Sequence, residues 1–128
     1  MEFVKANDVF NEARSYLEGQ TPDGQPHERD IKRAEHLLQE LLTHNLGNEV
    51  ILYTLGSLYL TRGFFGMSIE LLGRVTQKNQ NFGEAWNNLG LAYRETGDWD
   101  RAVYCCKRAM KFITHPDIQK YLYISVRN

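Results

Sequence analysis

The chain is short of cysteine and of net charge, and each shortage removes a class of protein. It has 128 residues and two cysteines, and these are neighbours, Cys105 and Cys106. Adjacent thiols supply neither a disulfide framework nor the spaced ligand pairs of a zinc site, so a reducing, cytoplasmic setting is expected. The formal net charge is −1, too small for a general binder of nucleic acid or of an anionic membrane surface. No apolar run approaches the ~20 residues that span a bilayer. Met1-Glu2-Phe3 opens directly into a polar, amphipathic segment, without the charged and apolar stretches of a secretory signal. His36 and His44 lie two helical turns apart, too far to share one ion, and His27 and His115 fall in predicted loops. Gly63-Phe64-Phe65-Gly66 reads as a turn between helices, not as a phosphate cradle. The sequence therefore predicts no catalytic residues, no cofactor and no metal, and a protein that is not an enzyme.

What is present is apolar residues at helical spacing. A hydrophobic content of 42% suits one globular domain of this length. The clearest stretch runs from Trp86 to Ala109. Trp86, Leu89, Gly90 and Tyr93 fall at i, i+3, i+4 and i+7, on one face of a helix. Glycine inside a helix costs about 1 kcal/mol against alanine, and close approach of a second helix explains it. Ala102 and Ala109 are small at matching places on that second helix. Gly97 suits a left-handed C-cap, and Asp98 can cap the next helix. Together these residues predict a helical hairpin.

The pattern recurs about 34 residues earlier. Leu52, Leu55, Gly56, Tyr59 and Gly63 stand for Trp86, Leu89, Gly90, Tyr93 and Gly97. Phe65, Ser68 and Leu72 stand for Trp99, Ala102 and Cys106. This series resembles the tetratricopeptide repeat, although Cys106 replaces the family's usual aromatic residue and Pro116 lies two residues beyond its closing proline. The resemblance implies an all-α fold: a right-handed helical-hairpin array, or α-solenoid, of about three hairpins with a C-terminal capping helix. The expected repeats are 1–48 with a loop insertion, 49–82 and 83–116, followed by a terminal helix over 117–128.

Helices are predicted at about Phe3–Glu18, Glu28–His44, Glu49–Thr61, Gly66–Lys78, Glu84–Thr96 and Asp98–Ile113. In the first repeat Asp30, Ile31, Ala34, Leu38 and Leu41 line up with Asp98, Trp99, Ala102, Cys106 and Ala109, and Ala13 takes the part of Gly90. Tyr16 to Ala34 is 18 residues, against 9 from Tyr93 to Ala102. The Gly19–His27 loop therefore carries the excess and is expected to be either a dispensable decoration or, as some long loops are, a binding element. Pro116-Asp117 starts the last predicted helix, which covers the preceding hairpin or begins a further repeat. The ending at Asn128 suggests a piece of a longer protein.

In tetratricopeptide proteins the first helices of successive hairpins line a concave groove for extended peptides. The resemblance thus implies a protein- or peptide-binding adaptor, with Tyr53, Thr54, Ser57, Glu84, Asn87, Asn88, Leu91 and Arg94 lining the groove. Asn88 is the leading candidate, because its amide can both donate to and accept from a peptide backbone. Trp86-Asn87-Asn88-Leu89-Gly90 also resembles the repeats of protein O-linked sugar transferases, although Thr54 interrupts the asparagine row. Chaperone-binding domains of the family clamp a carboxylate with Lys and Asn on three first helices. Lys5, Thr54, and Glu84 with Asn88 do not make that clamp. The rival readings are a substrate-recruiting module of a larger enzyme such as a glycosyltransferase, and a homo-oligomer assembled through its end repeats. Lys107, Arg108 and Lys111 read as a solvated outer stripe, and Cys106 reads as a packed thiol.

Overall fold

The computed structural model describes residues 3–18, 24–44 and 48–113. They form six helices: α1 (Phe3–Leu17), α2 (Glu28–Thr43), α3 (Glu49–Thr61), α4 (Phe65–Lys78), α5 (Gly83–Thr96) and α6 (Trp99–Phe112). No strand occurs among the described residues, so the fold class is the all-α one the periodicity predicts. The bounds fall within a residue or so of the predicted ones. The expected terminal helix over 117–128 and most of the Gly19–His27 loop lie outside the described residues. The chain divides into two compact units, Met1–Ile51 and Leu52–Asn128.

In the first unit α1 packs on α2 as a hairpin. The small residues predicted to let the helices approach do so: Ala13 and Ala34 are fully buried, as are Leu38 and Leu41 one and two turns along α2. The alignment of Asp30 with the capping Asp98 does not extend to capping. Helix α2 already starts at Glu28, His27 is its N-cap residue without a side-chain bond, and Asp30 falls in the first turn. Its carboxylate there still faces the positive end of the helix dipole. The Arg33 guanidinium lies 5.5 Å from the centre of the Tyr16 ring.

In the second unit α4, α5 and α6 pack in succession, α4 on α5 and α5 on α6. Leu72, Trp86, Leu89, Cys105 and Ala109 form a core cluster, with Tyr53, Ile69 and Tyr93 against it. The repeat's glycines act by absence of a side chain. A Cβ on Gly56 would lie 2.9 Å from Cγ of Leu72 on α4, closer than van der Waals contact allows. Gly97 ends α5 at φ 84°, with its N–H and that of Asp98 bonded to the carbonyls of Arg94 and Tyr93. Gly63 repeats this after α3, also at φ 84°. Asp98 then caps α6: its Oδ1 accepts from the Arg101 N–H at 3.3 Å, and its Oδ2 meets Arg101 Nη1 at 2.8 Å. This fulfils both expectations of the hairpin turn.

Both thiols are buried, Cys106 completely and Cys105 with 2% of its surface exposed. The helical stripe identified only Cys106. Cys105 is enclosed because α6 presents two sides to the packed interior, Cys106 toward Gly90 and Cys105 into the cluster of Leu72 and Trp86.

Candidate functional site

All eight predicted groove residues belong to two first helices, Tyr53, Thr54 and Ser57 on α3, the rest on α5. Hydrogen bonds bring three of them together. The Asn88 side-chain amide donates to Ser57 Oγ at 2.8 Å and, more weakly, to the Tyr53 hydroxyl at 3.4 Å. Ser57 sits one helical turn beyond Tyr53, so the two hydroxyls line up on the face of α3 that meets Asn88. Both amide hydrogens are thereby used internally. Oδ1 accepts no hydrogen bond from the described residues. Asn88, expected to donate and accept, thus offers a fixed acceptor.

Tyr53, expected to line the groove, is also tied to the packed interior. Its ring lies on Phe82, centroids 4.9 Å apart at 30°, and packs against the core cluster. Phe82 precedes α5 as its N-cap residue. Nothing in the repeat pattern points to it, because Asn48 stands one period before it. The hydroxyl of Tyr53 belongs to the polar cluster, while the ring belongs to the packed interior.

The remaining candidates flank this cluster without bonding to it. Glu84 is exposed, and Asn87, Leu91 and Arg94 are half-buried. Oδ1 of Asn87 is enclosed without a partner. Thr54 is half-buried and holds an interaction of its own. Elsewhere, in the first unit, an open cleft of about 460 Å³ is lined by Ser15, Tyr16, Glu18, His27, Arg29 and Asp30. Its charges are of mixed sign. Among the described residues no group of three His, Cys, Asp or Glu side chains can hold a metal ion. No described helix is long and apolar enough to cross a membrane.

The α5–α6 hairpin carries the decisive likeness. Residues 83–112 match the tetratricopeptide repeat family. No curated protein matches the chain. Solved structures of MamA share the fold. MamA AMB-1 superposes with a TM-score of 0.77 at 19% identity, over 95% of this chain and 68% of that one. The MamA RS-1 ArsTM double mutant gives 0.79 at 16%, over 98% and 67%. MamA 41-end from Desulfovibrio magneticus RS-1 gives 0.79 at 15%, over 95% and 65%. The chain therefore spans about two thirds of each of these structures, and at such identities the likeness concerns the fold alone.

Proposed function

We propose that the chain is a non-catalytic adaptor that holds a protein or extended peptide against the strip of α3 and α5 bearing Tyr53, Thr54, Ser57, Glu84, Asn87, Asn88, Leu91 and Arg94. The tetratricopeptide match over 83–112 supports a protein-interaction role. The observation that carries the groove reading is the Asn88 amide, tied by its nitrogen to Ser57 and Tyr53 while its carbonyl oxygen accepts from none of the described residues. A fixed acceptor on a half-buried surface suits the backbone N–H of an extended chain, whatever its side chains. The repeats at 1–48, 49–82 and 83–116 belong to the same proposal, as the frame that would present such first helices in series. The test is affinity capture of partners followed by titration calorimetry with wild-type protein and Asn88→Ala. Weaker binding by the variant, with an unchanged melting curve, is the expected result. Equal binding by both proteins would remove Asn88 from the site.

A further inference from the structure

Arg108 departs from its neighbours in the basic stripe of α6. Lys107 and Lys111 are exposed as expected, but Arg108 is half-buried. Its guanidinium carbon lies 5.3 Å from the centre of the Trp86 ring and 5.8 Å from that of Phe112. Tyr104, one turn earlier on α6 and 58% exposed, meets the same Trp86 edge-on at 5.9 Å and 75°. Phe112, one turn later and 39% exposed, also closes against the start of α5: a Cβ on Gly83 would lie 3.0 Å from its own Cβ. The guanidinium thus sits in an aromatic seat built by two helices, which restrains an otherwise mobile side chain.

Among the described residues the seat holds a charge with no counter-charge. Nε of Arg108 is enclosed without an acceptor, and no carboxylate among the described residues pairs with the guanidinium. A partly desolvated charge is ordinarily paired. Covering Trp86 with the aliphatic stem explains the side chain's position, but leaves Nε without an acceptor among the described residues. We propose that the Tyr104–Arg108–Phe112 face of α6 docks an acidic segment of a partner protein. A Glu or Asp carboxylate of that segment pairs with the guanidinium fork, and its apolar neighbours pack on Tyr104 and Phe112. A planar fork matches a carboxylate bidentately, and Tyr, Trp and Arg are the residues that concentrate binding energy at interfaces. Charge selects the occupant. Lys107 and Lys111 flank the seat on the same helix and are exposed, so an acidic segment is the complementary one. This surface is separate from the α3–α5 strip and does not depend on it.

The experiment selects a random 15-residue peptide library, displayed on phage, against the whole chain, and sorts the binders on Arg108→Met and Asn88→Ala. Methionine keeps a stem over Trp86 and removes the charge. The expected result is a class of peptides with Asp or Glu beside apolar residues that bind Arg108→Met about tenfold or more weakly and bind Asn88→Ala normally. Changing that carboxylate to its amide should weaken binding to wild type equally, and should add nothing in Arg108→Met. If Arg108→Met melts early, Arg108→Lys replaces it; it keeps the charge without the fork, and a smaller but definite loss is expected. The proposal is overturned if no selected peptide depends on Arg108, or if those that do lack an acidic residue. Peptides that respond to Asn88→Ala alone score the groove reading separately.

Discussion

Gly90 on α5 and Cys106 on α6 stand at a close approach of the two helices: a Cβ on Gly90 would lie 2.9 Å from the Cys106 sulfur and 3.2 Å from the carbonyl oxygen of Ala102. The second contact is backbone and cannot step aside. Gly90→Leu should therefore destabilise the protein by about 1–3 kcal/mol, and the helix-propensity gain of about 1 kcal/mol offsets this only in part. Adding Cys106→Ala should recover some of the loss in a double-mutant cycle, because it removes the nearest atom. Urea melts of the four proteins check this. A Gly90→Leu variant as stable as wild type would contradict the close approach.

Ser68 stands one period before Ala102, at the same point of the hairpin. It is fully buried, and its Oγ has no hydrogen-bond partner. A buried unsatisfied hydroxyl destabilises the fold, and alanine is the better helix former. Ser68→Ala should raise stability by about 1 kcal/mol, seen as a higher urea midpoint at unchanged slope. A drop of that size would mean that the hydroxyl has a partner in solution.

Burial and the neighbouring Cys106 push the Cys105 thiol up to about 12. At pH 8 the folded protein should react slowly with a thiol-specific disulfide reagent, and the urea-unfolded protein quickly. The same shift makes stability depend on alkaline pH. The folded thiol keeps its proton while an unfolded one, with a pKa of about 8.5, loses it. Its contribution is thus complete below that pH and is lost progressively toward about 12. Cys105→Ala should flatten the decline in melting temperature over this range. Identical pH profiles would show that the thiol is accessible.

The hairpin of α5 and α6 is legible in the sequence because its determinants are local: a glycine at the contact, small residues opposite it, Gly97 and Asp98 at the turn. Each is one residue type doing one conformational task. The start of α2 at Glu28 is legible as well, but its capping is not: Asp30, aligned with Asp98, falls in the first turn, and His27 is the N-cap residue without a side-chain bond. The surroundings of Tyr53 and Arg108 are not legible in the sequence. A helical wheel sorts residues by direction around one axis. It does not show that Phe82 lies on the ring of Tyr53, or that Trp86 and Phe112 flank Arg108. Those partners come from a turn or a second helix, and only packing discloses them.

That difference changes how the binding strip has to be tested. For a Tyr53 merely exposed on the groove surface, truncation would leave stability within about 0.5 kcal/mol. With its ring on Phe82 and against the core cluster, Tyr53→Ala should instead cost about 2–4 kcal/mol. Loss of binding in that variant would then say nothing about contact. Tyr53→Phe keeps the ring and removes only the hydroxyl. Asn88→Ala leaves the hydroxyls of Ser57 and Tyr53 half-exposed, where water replaces the amide, so its cost should stay below about 1 kcal/mol. If an extended chain donates a backbone N–H to Asn88, Asn88→Ala should weaken binding by about 1–3 kcal/mol. Tyr53→Phe should weaken it less, because the 3.4 Å bond it removes only orients the amide. Lys107→Ala reports on the outer face of α6; Arg108, seated on Trp86, would disturb packing as well and is unsuited to that part. Calorimetric titration of a captured partner against these variants, alongside their melting curves, decides the matter. A loss with Lys107→Ala and none with Asn88→Ala would move the binding surface from α3 and α5 to the face of α6.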